Sequence, residues 1–444
     1  MMEEMQHHYE SNVPWIGKMP STWRLGEIAH FTRSMSGGTP SRNKPEYWDD
    51  GDIPWMSSGE VNKGEVWDTN ERITQLGFAN SSAKLLKKNT VVIALNGQGK
   101  TKGMSAILKI EATCNQSLCG FMCDEKNLTY KYLYYCFQAM YKYLRSQAGD
   151  DSREGLAAFF VKKQKIPVPS IDEQKAIADY LDAECKKIDD LIEREENRVQ
   201  LIEQTKLSVI TKVITKGLAE AASMKDSGVP WVGQVPSSWE RHRIKYDLIR
   251  SAAGIWGDEE KGNDDDIFCY RIADYDYSRG IIDNDNPTIR NIPTKERQGR
   301  LLRQGDLLIE KSGGGDIWPV GRVVRYNYDN EAVCSNFIHS ITVDERKIDK
   351  DFLYYYFRFL YANKVNLLYF NQTTGIQNLK VGAYLSQSLY APQLSEQREI
   401  VEYLNKECDA YDAAIDKANH QILLLKEYKQ SLITEVVTGK RKVC

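Results

Sequence analysis

The segment from Ala94 to Thr101, ALNGQGKT, has the spacing of a relaxed phosphate-binding loop, and an apolar run typical of a strand precedes it. A working loop of this kind opens a helix, but Gly103 to Leu108 is too short for one before charged residues follow. We therefore favour a glycine loop whose Lys100 and Lys102 contact phosphate groups. A nucleotide hydrolase that uses Lys100 and Thr101 is kept as an alternative.

Cysteine and histidine residues do not form a convincing reactive cluster. Cys114, Cys119 and Cys123 are closely spaced, but zinc needs four well-placed ligands, so we interpret them as apolar strand positions. All nine cysteines are expected to be free thiols, and the six histidines are too scattered for a catalytic triad. No Asn-Pro-Pro-Tyr or Asp-Pro-Pro-Tyr stretch of an amino-methyltransferase occurs. The sequence predicts a chain that is not an enzyme and binds no metal or cofactor itself.

Composition sets wide limits on the class of protein. With 444 residues, 41% of them hydrophobic, the chain can form two or three compact units. It has no apolar run of the roughly 20 residues that a membrane span needs, and its first residues are polar, so we expect a cytoplasmic protein. The formal net charge of −3 does not by itself suggest nucleic acid.

An internal repeat organises the whole chain. The sequence VPWIGKMPSTW at Val13–Trp23 returns as VPWVGQVPSSW at Val229–Trp239. Later segments match in the same order: Thr113-Cys114-Asn115 with Val333-Cys334-Ser335, and Tyr132–Tyr135 with Phe352–Tyr355. The aromatic stretches have helical spacing and are interpreted as core. Each copy ends in a long helical segment, so the order is globule, helix, globule, helix.

The two helical segments share their start and stop signals. Both begin with a Pro…Glu-Gln pattern, at Pro169 and Pro392, and we expect Asp172 and Ser395 to act as N-caps. Gly217 and Gly439 follow the segments as left-handed stops. The predicted divisions are residues 1–168 and 221–391 for the globules, and residues 169–220 and 392–444 for the helical segments.

Each helical segment carries a heptad seam, and the two seams match position for position. The seam of the first segment consists of Leu181, Cys185, Ile188, Ile192, Glu195, Val199, Ile202, Lys206, Val209 and Val213. The seam of the second consists of Leu404, Cys408, Tyr411, Ile415, Ala418, Ile422, Leu425, Lys429, Leu432 and Val436. The alternative for either stripe is a helix that faces the core of its own globule.

If a pseudo-two-fold axis relates the copies, the helices run antiparallel and their seams form a coiled coil. Lys206 then lies near Asp409 or Asp412, and Lys429 near Asp189 or Asp190. A seam of this length measures roughly 50 Å at 1.5 Å per residue, which exceeds one turn of B-DNA at about 34 Å. Two mixed α/β globules with different loops would then read different half-sites of one asymmetric, bipartite target.

This organisation closely resembles the family of Type I restriction-modification specificity subunits. The motifs that carry the resemblance are Pro14-Trp15 with Pro20–Trp23, Gly37–Ser41, Gly51–Trp55, Gly305–Ile309 and the two Pro…Glu-Gln helix starts. The resemblance covers nearly the whole chain. The second copy departs from it at Ala252-Ala253-Gly254, where no counterpart of Gly37–Ser41 is evident.

The resemblance implies two target-recognition domains that read double-stranded DNA, and helical spacers that bind two methyltransferase subunits. S-adenosylmethionine would be bound by those subunits, and ATP and magnesium by two restriction subunits where these are present. The alternatives are the specificity subunit of a system whose restriction and modification activities share one polypeptide, the nucleotide hydrolase considered above, and a coiled-coil scaffold that does not bind DNA.

Candidate DNA-contacting residues are polar or charged side chains in glycine-flanked stretches, where they can reach a groove or the phosphates. In the first globule they are Arg33, Ser34, Thr39, Arg42, Ser57, Ser58, Lys100, Lys102 and Arg153. In the second globule they are Arg271, Asp274, Tyr275, Lys311, Arg322, Gln377 and Asn378. For each, the alternative is an ordinary solvated loop residue.

Overall fold

The computed structural model describes residues 7–97, 99–147, 155–219, 222–373 and 375–443. These residues form two compact units of mixed α/β structure: the first contains residues up to 195 and from 421 onward, and the second contains residues 196–420. In the described ranges, none of the helices has both the length and the apolar character that crossing a membrane requires. The units are described one at a time below.

The first unit contains the following strands: His8–Glu10 (β1), Lys18–Pro20 (β2), Arg24–Glu27 (β3), Thr32–Ser36 (β4), Ile53–Met56 (β5), Glu65–Val66 (β6), Glu71–Ile73 (β7), Val91–Ala94 (β8), Ser105–Leu108 (β9), Thr113–Cys114 (β10), Leu118–Cys123 (β11) and Lys165–Val168 (β12). Its helices are Gln75–Ala79 (α1), Tyr130–Gln147 (α2), Ala158–Lys162 (α3) and the first part of Ile171–Lys216 (α4), together with the last part of a second long helix, Leu394–Val437.

A five-stranded sheet with the order β4-β11-β8-β9-β6 forms the centre of the first unit. Strands β8 and β9 are buried along their whole length, as expected of short, continuous apolar runs. Helix α2 packs its Leu133, Phe137 and Met140 into the same core, which confirms that this aromatic stretch is structural. A smaller sheet has the order β10-β5-β7, and the candidate residues Ser57 and Ser58 directly follow its strand β5.

The second unit contains the following strands: Met224–Asp226 (β13), Gln234–Pro236 (β14), Glu240–Arg243 (β15), Leu248–Ala253 (β16), Asp258–Glu259 (β17), Asp266–Tyr270 (β18), Tyr275–Asp276 (β19), Ile281–Ile282 (β20), Thr288–Asn291 (β21), Leu307–Glu310 (β22), Ser312–Gly313 (β23), Val323–Arg325 (β24), Ala332–Cys334 (β25), Ile338–Val343 (β26), Phe370–Thr373 (β27), Ile376–Leu379 (β28) and Ser388–Ala391 (β29). Its helices are Thr294–Arg297 (α5), Lys350–Ala362 (α6), Val381–Tyr384 (α7) and most of Leu394–Val437 (α8), together with the last part of α4.

The main sheet of the second unit has six strands in the order β16-β26-β22-β24-β20-β19. Strands β16, β26, β22 and β24 take the places that β4, β11, β8 and β9 hold in the first unit, and each neighbouring pair is antiparallel in both. Helix α6 buries Phe352, Tyr356 and Phe359 against this sheet, so its aromatic residues are also core. The three-stranded sheet β23-β28-β27 has no counterpart among the described residues of the first unit.

The long helices begin earlier than the sequence predicted, so the N-cap assignment to Asp172 and Ser395 was wrong. Helix α4 starts at Ile171, and Ser170 forms a capping box with Glu173: the Glu173 N–H donates to Ser170 Oγ at 3.3 Å, and the Ser170 N–H donates to Glu173 Oε2 at 3.0 Å. Helix α8 starts at Leu394. The predicted stops are confirmed, since Gly217 and Gly439 have φ of 72° and 71°.

The Pro…Glu-Gln motif anchors each long helix in its unit by the same hydrogen bonds. In the first unit, Trp23 Nε1 donates to Glu173 Oε1 at 3.3 Å, and the buried Gln174 accepts from the Thr129 N–H at 2.9 Å. Gln174 also donates to the Pro169 carbonyl at 3.0 Å. The amide therefore satisfies buried backbone groups that would otherwise lack partners.

The second unit repeats this arrangement. Trp239 Nε1 donates to Glu396 Oε1 at 3.1 Å, the Asp349 N–H donates to Gln397 Oε1 at 2.8 Å, and Gln397 Nε2 donates to the Pro392 carbonyl at 2.8 Å. The matching tryptophans and helix starts in the sequence thus correspond to one anchoring device used twice.

Within each unit the two long helices run antiparallel. In the first unit, Trp23 lies against Glu173 at the start of α4 and against Gly439 just after the end of α8. In the second unit, Trp239 lies against Glu396 at the start of α8 and against Gly217 just after the end of α4.

The ion pairs predicted from the heptad register are present. Lys206 Nζ lies 2.6 Å from Asp412 Oδ1 in the second unit, and Lys429 Nζ lies 2.7 Å from Asp189 in the first. All the predicted seam residues of both helices are buried or half-buried. The fully and nearly buried members include Leu181, Ile188, Ile192, Val213, Leu404, Ile415, Ile422 and Val436, while Val199, Ile202, Tyr411 and Leu425 are half-buried.

Candidate nucleic-acid interface

The loop after β8 carries Lys100 and Lys102. It connects two antiparallel strands, β8 and β9, and does not open a helix, so it lacks the strand-to-helix geometry of a nucleotide-hydrolysing phosphate loop. Side chains of helix α2 bind the backbone carbonyl groups of this loop. Tyr141 Oη donates to the Lys100 carbonyl at 2.7 Å, and Arg145 Nη1 donates to the Gly99 carbonyl at 2.9 Å. The Lys100 side chain is exposed, whereas Lys102 is buried.

Strand β4 and the loop that follows it present further polar side chains. Arg33 is exposed and Ser34 half-buried on this edge strand. Thr39 Oγ1 donates to Gln116 Oε1 at 2.5 Å. Arg42 makes a bidentate ion pair with Glu71, at 2.5 and 3.0 Å, which lowers the pKa of the Glu71 carboxyl through its hydrogen bond with the guanidinium. An arginine held in this way keeps a defined orientation on the surface.

Ser57 and Ser58 lie at a capped turn after β5. The Ser57 N–H donates to Glu60 Oε2 at 2.9 Å, and Glu60, which is buried, also accepts from Lys63 at 2.9 Å. The carboxylate therefore fixes the turn, and the two serine side chains stay half-buried beside it. Arg153, the remaining prediction for this unit, lies outside the described residues.

The corresponding turn in the second unit follows β18. The Arg271 N–H donates to Asp274 Oδ2 at 2.6 Å, so the buried Asp274 plays the part of Glu60. Tyr275 is buried next to it, and burial raises the pKa of its hydroxyl. The Arg271 side chain is 43% exposed, while its Nε is buried without a hydrogen-bond partner among the described residues.

Lys311 and Arg322 lie at the end of β22 and before β24. Arg322 donates to both carboxylate oxygens of Glu310, at 2.8 and 3.1 Å, and stacks on Tyr277 at 3.6 Å from the ring centre. Burial raises the pKa of Glu310, and the Arg322 guanidinium opposes that shift. Arg322 thus has a structural partner, whereas Lys311 is half-buried just after the end of β22.

Gln377 and Asn378 lie on β28. Gln377 is buried and its Oε1 accepts from the Val320 N–H at 3.2 Å, which supports the loop before β24. Asn378 is exposed, and its Oδ1 accepts from Ser312 Oγ at 2.7 Å. Of the candidate residues, Lys102, Asp274, Tyr275 and Gln377 are therefore buried within their units. Contact with DNA stays a prediction for all of them.

Residues that the sequence analysis did not single out lie beside these candidates. Gln116, Asn336 and Phe337 are exposed in the loops that precede β11 and β26, and Trp256 is half-buried after β16. The repeat contained a signal that could have identified the two loops as candidates. They directly follow the matched segments at Thr113 and Val333, at a point where the two copies stop resembling each other.

The cysteines near this region are structural. Cys114 and Cys119 are buried free thiols, and burial raises the pKa of Cys114 to about 12. In the part of the chain that the structure describes, no group of three or more histidine, cysteine or carboxylate side chains is arranged to hold a metal ion.

Three comparisons with known proteins agree with one another. The family described as Type I restriction modification DNA specificity domain matches residues 20–203 and 273–423. The StySPI specificity subunit from Salmonella potsdam is 24% identical over 96% of this chain and 90% of its own length. The MjaIX specificity subunit from Methanocaldococcus jannaschii is 22% identical over 96% of this chain and 95% of its own length.

A solved chain from a study of complex assembly and conformational transition in a type I restriction-modification system has a similar fold. The TM-score is 0.68 at 15% identity, and the match covers 95% of this chain and 99% of that one. Because the family match extends over both copies of the repeat, the assignment does not depend on a single motif. The chain belongs to the family of Type I restriction-modification DNA specificity subunits.

Proposed function

We propose that the chain reads a bipartite, asymmetric site in double-stranded DNA, with one half-site recognised by each unit. The observation that carries this proposal is the repeated scaffold with divergent loops. The Trp–Glu and Gln–backbone anchors recur in both units, whereas the side chains on the loops differ. Two readers built on one scaffold but with different contact residues are suited to two different half-sites.

The chain supplies specificity and positioning, and its partners supply the chemistry. We infer that α4 and α8 bind two methyltransferase subunits, which carry S-adenosylmethionine and methylate adenine, and that two restriction subunits with ATP and magnesium complete the complex. Family membership supports a role in such an assembly, and its site of action would be the cytoplasm, where the cell's DNA is modified.

The test is modified-base sequencing of DNA from a host that expresses this chain together with its genomically adjacent methyltransferase. Hosts that express either protein by itself are the controls. We expect adenine methylation at one split, asymmetric motif only when both are present. If a folded and bound pair produces no motif that depends on this chain, the proposal fails and the scaffold alternative takes its place.

A second measurement separates DNA reading from the nucleotide-hydrolase alternative. Purified chain is assayed for ATP turnover beside its Lys100→Ala variant. We expect no turnover by either protein, together with DNA binding that weakens as salt rises, because phosphate contacts release counterions. Turnover that disappears in the variant would support the hydrolase instead.

A further inference from the structure

The two units share a backbone arrangement at the ends of β4 and β16 that the sequence comparison did not reveal. A Cβ at Gly37 would lie 2.2 Å from the carbonyl oxygens of Cys114 and Asn115, and a Cβ at Gly254 would lie 2.1 Å from that of Ser335. Any side chain would force these segments apart, so glycine is required at both positions. Gly254 is therefore the counterpart of Gly37, which the sequence analysis could not identify.

The residue after each glycine continues the match. The Gly38 N–H donates to the Cys114 carbonyl at 2.8 Å, and the Ile255 N–H donates to the Cys334 carbonyl at 2.8 Å. Thr39 and Trp256 come next in the chain. These two side chains consequently begin from equivalent places in the two units.

A capped turn supplies a second wall in each unit. Ser57 is capped by Glu60, and Arg271 by Asp274, through the same backbone N–H to carboxylate hydrogen bond. Both turns follow the strand that pairs in parallel with β10 or with β25. The side chains at the start of the two turns are therefore equivalent as well.

The third wall is the loop before β11 or β26. The Leu95 N–H donates to the Ser117 carbonyl at 2.7 Å, and the Lys311 N–H donates to the Phe337 carbonyl at 2.8 Å. Ser117 and Phe337 thus occupy matching positions, and so do Gln116 and Asn336, the residues before them. In the second unit these three backbone segments line a cleft, and the matching place in the first unit is referred to below as the cleft of that unit.

The two linings share a carboxamide, at Asn336 and Gln116, but differ in chemistry at most of the other positions. In the second unit, the cleft has a volume of about 320 Å³ and is lined by Trp256, Arg271, Ile272, Ala273, Ser335, Asn336 and Phe337. The equivalent positions in the first unit hold Thr39, Ser57, Ser58, Gly59, Asn115, Gln116 and Ser117. An aromatic and cationic surface in one unit replaces a small, uncharged polar surface in the other.

We propose that these two clefts are the base-reading sites of the protein and that their linings determine the two half-sites. The inference rests on the proposed function, since it names the residues that would carry out the reading. The backbone of the cleft is held in place by glycine packing and by a buried carboxylate, so side chains can vary on its rim without disturbing the unit. A specificity protein needs a fixed frame with exchangeable contacts.

The chemistry of each lining indicates which base edge it fits. In the second unit, Phe337 is 43% exposed beside Trp256, and apolar side chains contact the thymine methyl group. The Arg271 side chain is 43% exposed at the same cleft, where a long 3.5 Å ion pair links its Nη2 to Asp274. Guanidinium N–H groups are the usual donors to guanine O6 and N7. This half-site is expected to contain thymine and guanine at the contacted positions.

In the first unit, Gln116 is the exposed side chain with both a donor and an acceptor. The Thr39 hydroxyl donates to Gln116 Oε1 and holds the amide in place. A glutamine amide pairs with adenine at N6 and N7. The half-site read by this unit is expected to contain adenine at that position.

The experiment compares the methylation motifs of hosts that carry the methyltransferase with wild-type chain, Phe337→Ala or Gln116→Ala. Tyr246→Ala and His30→Ala are matched controls. Both residues are exposed just before β16 and β4, at the ends of these strands that lie away from Gly254 and Gly37. We expect Phe337→Ala to relax one position of the second half-site and Gln116→Ala one position of the first. Discrimination at that position should fall about tenfold or more.

Several results would overturn the inference. If the wild-type chain directs a motif but both cleft variants leave it unchanged, the clefts are not the readers, although the proposed function stands. Equal weakening of both half-sites by either variant would indicate a loss of folding or of phosphate contact instead. Relaxation by the control variants as well would show that the effect is not particular to the clefts. If the wild-type chain directs no motif, it is the proposed function that fails.

Discussion

Ala94 of the first unit and Glu310 of the second occupy the same place in their main sheets, each with its N–H bonded to the carbonyl of the facing segment. The facing residues are Met104 in the first unit and Arg322 in the second. One unit thus has an apolar pair where the other has a buried ion pair on the same backbone. The scaffold therefore accepts either chemistry, provided that the pair is complete.

The largest effect is expected from breaking that ion pair. Arg322→Met leaves the carboxylate of Glu310, which is 1% exposed, without its partner, so the second unit should lose about 3 kcal/mol of unfolding free energy. The double variant Glu310→Ala with Arg322→Met copies the first unit and should recover to within about 1 kcal/mol of the wild type. Hydrogen exchange of peptides from β22 and β24 measures both. An equal loss in the single and double variants would contradict the explanation.

A second difference between the units concerns protons. His339 on β26 pairs with Ile309, whereas the equivalent Cys119 on β11 pairs with Ile93. Burial lowers the pKa of His339 to about 4, with smaller contributions from Lys311 and from a neighbouring arginine. Burial raises the pKa of the Cys119 thiol, which therefore does not ionise in acid or at neutral pH.

Acid should therefore destabilise the second unit through His339. In the unfolded chain this histidine binds a proton near its ordinary pKa of 6.5, whereas in the folded unit it does so only near 4. The free energy of unfolding therefore has its full value above about pH 6.5 and decreases as the pH falls toward 4. With allowance for partial exposure, the loss is about 2 kcal/mol. His339→Cys, which copies the first unit, should flatten this part of the pH profile in urea unfolding. An unchanged slope would exclude His339 as its source.

The smallest effects are expected in the helix pair, where the same ion pair differs in burial. Lys206 and Asp412 are 7% and 22% exposed, whereas Lys429 and Asp189 are 29% and 55% exposed. Asp412→Ala should cost about 2 kcal/mol and Asp189→Ala at most about 1 kcal/mol. Thermal unfolding at low and high salt checks this, because only the Asp189 effect should be screened away in 1 M salt. Equal costs would mean that burial does not distinguish the pairs.

The sequence predicted the features of the fold that repeat. Both copies, the two long helices, their stops and the ion pairs of the seam follow from residue spacing, because helical periodicity and duplication are visible in one dimension. The predicted helix starts are too late because only one of the two helices has a recognisable capping residue at the true start. Ser170 forms a capping box with Glu173 before α4, whereas the matching position before α8 is Gln393. Asp172 and Ser395, the residues predicted as N-caps, both lie inside the first turn of their helices.

Features that depend on strand pairing could not be predicted in this way. The ion pair between Glu310 and Arg322 requires β22 and β24 to be neighbours, and the clefts require three segments far apart in sequence. The match between Gly37 and Gly254 was missed because it is defined by close approach to a carbonyl group and not by the residues around it. Burial of Asp274 and Gln377 likewise follows from tertiary contacts.

Helices α4 and α8 each contribute to both units, and this has a consequence for synthesis on the ribosome. The second unit is continuous in sequence, from residue 196 to residue 420, and can be completed as soon as those residues emerge. The first unit needs Ile422, Leu432 and Val436 for its core, and the Tyr132 hydroxyl donates to the Val437 carbonyl at 3.0 Å. The half that is translated first is therefore completed last, so its exposed core must wait, without aggregating, for the rest of the chain.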